Sequence, residues 1–310
     1  MPEEISHYVF IYFKSFFLGI IQGLTEFFPI SSTAHLKVLP YLFGWNDPGV
    51  SFSASIQLGS AVAIIYYFRN QIILIIDSFF SIFNHHNFFK DENTRLSTYI
   101  FIASIPIFTL GLLIKVYWPN YSDSNFRGLF SIALTSIFMA VLLALSEVYG
   151  NRKKIFRDIN IKDVIFLGLA QSLAIFPGVS RSGITLTAAL FSGIERKTAA
   201  RLSFLVGIPA ISLSGLVELV TLFRTLSIID ILPVIVGIIS SFFSSIFAID
   251  LFLKFLAKNN TFVFVYYRLA FGVFILSALL FVNGLRKHIA LRIILSFDLL
   301  IFLRIVSIIE

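Results

Sequence analysis

The residues best suited to chemistry lie in two short polar segments that interrupt apolar stretches of this 310-residue chain. The first segment offers an amide, a carboxylate, three hydroxyls and an imidazole: Gln22, Glu26, Ser31, Ser32, Thr33 and His35. Gln22 and Glu26 are four residues apart, so on a helix they share one face. A charged group inside a membrane-length apolar stretch is costly and is therefore a candidate for a functional site.

The second segment reads PGVSRSG over residues 177–183 and supplies Ser180, Arg181, Ser182 and Gly183. An arginine fork binds phosphate oxygens through two hydrogen bonds, and the N-terminus of a helix holds anions through its backbone amides. A carboxylate can hold Mg²⁺ beside phosphate oxygens, and a histidine can relay protons near neutral pH. Together the two segments favour phosphoryl chemistry.

Each of these residues also has a structural interpretation. Gln22 can join two helices by a hydrogen bond, a single serine or threonine is often a helix cap, and His35 can be a satisfied interior histidine. For Glu26 and Arg181 the structural alternative is a salt bridge. Three other charged residues inside apolar stretches are interpreted as structural: Glu218, Asp250 and Arg268.

The composition places these segments in a membrane. Hydrophobic residues make up 57% of the chain and charged residues 13%, which leaves too few charges to cover a soluble globule. Ordinary soluble domains, disordered chains and nucleic-acid binders are thereby excluded. The net charge of +7 is assigned to cytoplasmic loops. Because cysteine is absent, there is no disulfide framework or thiol chemistry.

The apolar pattern predicts an all-α polytopic membrane protein with about six transmembrane helices and two re-entrant helical hairpins. The predicted spans are 53–68, 97–117, 128–149, 199–222, 231–253 and 262–283. The hairpins combine 8–28 with 36–44 and 163–176 with 184–194, each pair separated by a serine-rich break. Such breaks occur at membrane depth only where protein or a wet cavity surrounds them.

An internal repeat relates the two hairpins. Residues 19–35 and 168–184 align without a gap, with identical residues at Gly19/Gly168, Gln22/Gln171, Leu24/Leu173, Phe27/Phe176 and Ser31/Ser180. Three spans follow each hairpin, so the halves 8–149 and 163–283 should be inverted, within one domain over 1–285. The basic loops 69–96, 150–162 and 254–261 are predicted to be cytoplasmic. Residues 286–310 form a hydrophobic extension of unknown role.

The paired motifs resemble the undecaprenyl-diphosphate phosphatase family of the bacitracin-resistance (UppP/BacA) type. Its (E/Q)xxxE motif corresponds to Gln22 through Glu26, its SSTxH-like loop to 31–35 and its PGxSRSG motif to 177–183. The resemblance covers about residues 8–284. It implies a hydrolase of the bacterial inner membrane, with its active site facing the periplasm, which converts undecaprenyl diphosphate to the monophosphate carrier of peptidoglycan synthesis and confers bacitracin resistance.

The resemblance also implies a divalent cation, Mg²⁺ or Ca²⁺, with Glu26 and Gln22 as its candidate ligands. We expect Arg181 to clamp the terminal phosphate, Glu26 to position the metal or a proton, Ser32 to be the nucleophile and His35 the acid/base. Direct attack by water stays open. The remaining substrate-binding residues would form a phosphate cradle: Gln22, Ser31, Thr33, Ser180, Ser182 and Gly183. The expected partners are the polyprenyl diphosphate and membrane lipids, with a homodimer left open and no nucleic acid.

Two other functions are compatible with parts of this pattern. Inverted repeats with broken helices also describe transporters, so a polyprenyl-phosphate transporter or flippase is the alternative. The other type of membrane-bound acid phosphatase is rejected, because the histidine it needs six residues after the arginine is Thr187 here.

Overall fold

A computed structural model describes residues 2–85, 91–225 and 228–281 of the chain. The predicted extension 286–310 lies outside these ranges. The described residues form helices and no β-sheet, as the sequence predicts. The helices are α1 Pro2–Phe27, α2 Ser32–Phe43, α3 Gly49–Tyr67, α4 Arg69–His85, α5 Glu92–Tyr117, α6 Leu129–Tyr149, α7 Ile161–Ser172, α8 Arg181–Phe191, α9 Arg196–Thr225, α10 Ile228–Lys258 and α11 Phe262–Phe281.

Seven segments of the described residues are long and apolar enough to cross a membrane. They are Tyr8–Phe27, Gly49–Tyr67, Glu92–Tyr117, Leu129–Tyr149, Arg196–Arg224, Ile231–Lys258 and Phe262–Leu280. Six of them correspond to the predicted spans. The seventh belongs to α1, the first limb of hairpin 1, which is one uninterrupted helix. The all-α polytopic class is confirmed.

Three of the four hairpin limbs are too short to cross a bilayer. α2 and α7 have 12 residues each and α8 has 11, whereas a span needs about 20. Residues 28–31 connect α1 to α2. A 3₁₀ turn at Leu173–Ile175 and residues 176–180 connect α7 to α8.

The two hairpins turn in the same way at aligned positions. Ser31 has φ of 75° and Ser180 has φ of 68°, and each immediately precedes the second limb of its hairpin. Positive φ is uncommon for residues other than glycine. This shared conformation supports the internal repeat, and three helices of membrane-spanning length follow each hairpin in the described chain.

The prediction of a loop over 69–96 is wrong in one respect, because the helix α4 occupies the first part of this segment. Its apolar run is shorter than a span, so the length criterion excluded it. Several apolar side chains of α4 are nevertheless exposed, among them Ile73, Leu74 and Phe80. The helix therefore packs only part of its apolar surface within the chain.

Glycines allow α1 to pack directly on α10. A Cβ atom on Gly19 would lie 2.3 Å from the carbonyl oxygen of Gly237, and one on Gly23 would lie 2.4 Å from that of Ser241. Two glycines four residues apart let helix backbones approach closely in a membrane, where no hydrophobic force drives helices together. On α3, Gly59 approaches the Ile238 carbonyl in the same way. This contact fixes the helix that carries Glu26.

Replacing Gly23 with leucine should destabilise the protein, because the side chain has to separate α1 from α10. Overpacking of this kind costs about 1–3 kcal/mol. Thermal unfolding in detergent micelles should therefore shift to lower temperature. The matched control is Gly111→Leu on α5, where a Cβ atom meets nothing within 4 Å. Equal unfolding temperatures for the two variants would contradict the packing argument.

Candidate active site at the hairpin tips

The tips of the two hairpins contact each other. The Ser182 hydroxyl, at the start of α8, donates to the backbone carbonyl oxygens of Glu26 at 3.1 Å and Phe28 at 3.0 Å. These carbonyls belong to the last turn of α1 and the break that follows it. The second hairpin is thereby anchored on the residues that carry the candidate carboxylate.

Arg268 of α11 holds both tips together from one side. Its guanidinium donates to the carbonyl oxygens of Pro29 at 2.9 Å in hairpin 1, and of Gly178 at 2.5 Å and Val179 at 3.3 Å in hairpin 2. Its Nε donates to the Ser136 carbonyl at 3.2 Å. The side chain is 1% exposed. The structural role predicted for Arg268 therefore consists of joining the breaks of both hairpins to α6 and α11.

The carboxylate of Glu26 receives hydrogen bonds from four side chains. Its Oε1 accepts from Arg181 at 3.3 Å and from Gln57 at 3.0 Å. Its Oε2 accepts from Gln22 at 2.9 Å and from Ser32 at 2.6 Å. The donors come from α1, α2, α3 and α8, so this buried carboxylate is the point where the hairpins and α3 converge.

The contact between Ser32 and Glu26 has chemical significance. The hydroxyl donates a hydrogen bond to Oε2 over a short distance of 2.6 Å, and both side chains are buried. A serine becomes a nucleophile when an adjacent base accepts its proton. Within this geometry Glu26 is placed to be that base.

Arg181 has donor capacity to spare. Besides its bond to Glu26, it donates from one terminal nitrogen to the Ser203 carbonyl at 3.3 Å. Its Nε is buried and has no hydrogen-bond partner in the described part of the chain. An unpaired buried donor of a cation is costly. The side chain is therefore poised to accept an anion.

The guanidinium of Arg181 lies against a glycine of α9. A Cβ atom on Gly207 would lie 1.7 Å from a terminal nitrogen of Arg181 and 2.4 Å from its central carbon. Any larger residue at this position would displace the guanidinium. Gly207 thus provides the space that the arginine occupies.

His35 is held behind the Ser31 peptide. Its Nδ1 donates to the Ser31 carbonyl oxygen at 2.7 Å, and its Nε2 contacts the hydroxyl of Tyr267 on α11. The ring of Phe271 lies parallel to the imidazole, with centroids 4.4 Å apart. The imidazole is thus fixed between hairpin 1 and α11, three residues after Ser32 along the chain.

The remaining predicted residues form two small hydroxyl clusters at the starts of α2 and α8. Ser31 and Thr33 share a hydrogen bond of 3.1 Å, and Ser180 and Ser182 share one of 3.2 Å. The amide of Gly183 donates to the Ser180 hydroxyl at 3.1 Å. Every predicted site residue therefore lies at or beside the junction of the tips.

Three residues of this site escape sequence reasoning: Gln57, Gly207 and Tyr267. A search for charged groups in apolar stretches passes over a glutamine, although Gln57 is a polar residue within the α3 span and was open to detection on that ground. Neither a glycine nor a tyrosine carries a comparable signal in this chain.

Other charged residues in the spans have partners away from the tips. Glu218 accepts a hydrogen bond from Ser51 at 2.7 Å, and Asp250 pairs with Lys254 at 2.7 Å. Their structural interpretation agrees with these contacts.

The candidate metal ligand Glu26 has protein partners on both of its oxygens. No group of three His, Cys, Asp or Glu side chains gathers within residues 2–85, 91–225 and 228–281. Both oxygens of Glu26 already accept hydrogen bonds, and the cation of Arg181 lies beside one of them. The divalent cation therefore stays a prediction from the family resemblance.

Fold and site together define a polytopic helical membrane protein with a polar site where two re-entrant hairpins meet. Residues 15–274 match the family of bacitracin resistance protein BacA, and the chain belongs to that family. The match includes every site residue described above. It confirms the family predicted from the paired motifs.

Individual relatives agree with this assignment. The undecaprenyl-diphosphatase of Prochlorococcus marinus strain NATL1A is 82% identical over 279 residues, which cover 90% of this chain and 100% of the relative. That of strain MIT 9313 is 51% identical over 264 residues, covering 85% of this chain and 88% of the relative. That of Synechococcus sp. strain WH7803 is 50% identical over 264 residues, covering 85% and 92% respectively.

Replacing Arg268 with methionine should destabilise the fold, because buried carbonyls of both tips lose their donor. Leaving buried polar groups unsatisfied costs about 1–3 kcal/mol each. The unfolding temperature in detergent should fall clearly below that of the unmodified protein. Arg201→Met is the matched control, since Arg201 is an exposed arginine of α9 that bonds to Gln71. A control that is equally destabilised would contradict the role given to Arg268.

Proposed function

We propose that the protein hydrolyses undecaprenyl diphosphate to undecaprenyl phosphate and inorganic phosphate, recycling the lipid carrier used in cell-wall synthesis. Membership of the bacitracin resistance family and the names of the relatives support this activity. The observation that carries the proposal is the arrangement around Glu26, with the Ser32 hydroxyl on one carboxylate oxygen and the Arg181 guanidinium on the other. The relatives' names give no support to a transporter, so that alternative is not favoured.

The first chemical step follows from the contact between Ser32 and Glu26. The Ser32 oxygen attacks the terminal phosphorus while its proton passes to Glu26. The bond from that phosphorus to the bridging oxygen breaks, and undecaprenyl phosphate leaves with the bond's electrons. Water then attacks the phosphoserine and gives a proton to His35, the bond from phosphorus to the Ser32 oxygen breaks, Glu26 returns a proton to that oxygen, and phosphate leaves. If water attacks the diphosphate directly, Ser32 only binds phosphate.

Stabilisation of the transferring phosphate is assigned to Arg181 and the two helix starts. The unpartnered Nε of Arg181 and its terminal nitrogens match the fork geometry that phosphate oxygens prefer. α2 and α8 both begin at the tips, so their first amides and the hydroxyl clusters face the same region. Such fixed donors stabilise the charge that develops in the transition state.

The site residues are buried, so the headgroup has to enter between the helices while the polyprenyl chain stays in the bilayer. We assign the protein to the bacterial inner membrane, with the site facing the periplasm, because the family resemblance implies both; the basic loops support the orientation of the spans. Association of two copies of the chain as a homodimer stays a prediction. The divalent cation is a prediction as well, and no step above uses it.

Phosphate release from undecaprenyl diphosphate in detergent micelles should fall about a hundredfold or more in Arg181→Ala and Glu26→Gln. The first variant removes the hydrogen-bond donors that hold the phosphate, and the second removes the carboxylate that accepts the proton of Ser32. Arg201→Ala is the control for loss of an arginine on this chain and should retain full activity. Near-normal rates in both site variants would overturn the site assignment.

The same assay separates the two routes of attack. If Ser32 is the nucleophile, Ser32→Ala should lose activity to the same extent as Glu26→Gln, and rapid acid quenching of the unmodified enzyme should reveal phosphoserine. Substantial residual activity in Ser32→Ala, without phosphoserine in the unmodified enzyme, would establish attack by water.

Gly207→Ala should lower phosphate release without unfolding the protein. The added methyl group displaces the guanidinium of Arg181, and a misplacement of about 1 Å can cost roughly a hundredfold in rate. Because the clash falls on the end of a flexible side chain, the unfolding temperature should stay close to normal. Gly111→Ala serves as the control for a new methyl group in a spanning helix. Normal activity in Gly207→Ala would contradict the placement of Arg181.

A further inference from the structure

The two ring nitrogens of His35 have different partners, and this fixes where its proton lies. Nδ1 is 2.7 Å from the Ser31 carbonyl oxygen, which can only accept a hydrogen bond. Nδ1 must therefore carry a hydrogen. In the neutral imidazole Nε2 is then the basic nitrogen, and it is the atom through which His35 can exchange a proton.

Tyr267 occupies the position next to this basic nitrogen. Its hydroxyl contacts Nε2, and a phenol can donate to an imidazole nitrogen that has no hydrogen. The rings of His35 and Tyr267 are nearly parallel, with centroids 5.7 Å apart and planes at 14°. Phe271, one turn further along α11, stacks on the imidazole from the same helix. His35 is 1% exposed and Tyr267 is 3% exposed.

We propose that Tyr267 is a positioning residue for His35: its hydroxyl, together with the Ser31 carbonyl, holds the imidazole as the Nδ1-protonated tautomer with Nε2 as its basic atom. The proposal deepens the hydrolysis proposed above and rests on it for its kinetic consequence. The Ser31 carbonyl sets the tautomer from Nδ1, while the Tyr267 hydroxyl orients Nε2 and is the group through which a proton reaches that nitrogen. Tyr267 would therefore affect the chemical step more than substrate binding.

The position of Tyr267 beside Arg268 gives this role a structural basis. Arg268 fixes the tips through the carbonyls of Pro29 and Gly178, while the preceding residue fixes the imidazole of hairpin 1. α11 thus holds the backbone of the break and the side chain of His35 from adjacent positions. A displacement of α11 would move both together.

Tyr267→Phe tests the hydroxyl while keeping the stacked ring. We expect kcat for undecaprenyl diphosphate hydrolysis to fall about tenfold or more, with KM and the unfolding temperature little changed, because proton transfer and not binding is impaired. Tyr266→Phe is the matched control, since Tyr266 is the neighbouring tyrosine and is 66% exposed. Unchanged kcat in Tyr267→Phe, or an equal loss in Tyr266→Phe, would overturn the proposal.

A spectroscopic measurement tests the tautomer without relying on activity. Nitrogen-15 NMR of histidine-labelled protein, with His35→Ala used to assign the signal, should show His35 protonated on Nδ1 in the unmodified protein. In Tyr267→Phe the signal should shift toward a mixture of tautomers. A His35 protonated on Nε2 in the unmodified protein would overturn the proposal. If the unmodified protein releases no phosphate, the proposed function fails, and the tautomer result still decides the role of Tyr267.

Discussion

The architecture depends on one buried cation that is held by backbone carbonyls. Re-entrant breaks leave carbonyl groups without helical partners at membrane depth, where unsatisfied groups are costly. Arg268 supplies donors to such carbonyls in both hairpins, at Pro29, Gly178 and Val179. The arginine also needs these acceptors, since an isolated charge in this environment would be costly. The breaks and the cation thus stabilise each other, and the chemical groups are placed by that arrangement.

Close packing of α1 and α3 on α10 positions the carboxylate of Glu26. Gly19 and Gly23 bring α1 against α10, and Gly59 brings α3 against the same helix. Glu26 and Gln57 therefore lie on two helices that pack on the same neighbour, and they meet in a 3.0 Å hydrogen bond. The aligned Gly168 makes a similar approach to Ala103 in the second half of the chain, although its hairpin carries Ile175 where the first carries Glu26.

Much of the fold and the core of the site could be predicted because charged residues are rare in this chain, so those inside apolar stretches are easy to identify. In a chain with 13% charged residues, Glu26 and Arg181 stand out inside apolar stretches, and the serine-rich breaks beside them mark the hairpins. The same reasoning could not find Tyr267, because aromatic residues fill this sequence and nothing local distinguishes one that faces His35. Gln57 lies far from Glu26 along the chain, and only the packing of α1, α3 and α10 brings the two together.

The ion pair between Glu26 and Arg181 has a consequence for how the enzyme rests between turnovers. In the structure the two charges pair at 3.3 Å, so neither of them lies unpaired in its apolar surroundings. A diphosphate that takes over the guanidinium would leave the Glu26 carboxylate without its counter-ion. Substrate binding would thus exchange one anion for another at Arg181, so that the buried guanidinium has a counter-ion both before and after the phosphate arrives.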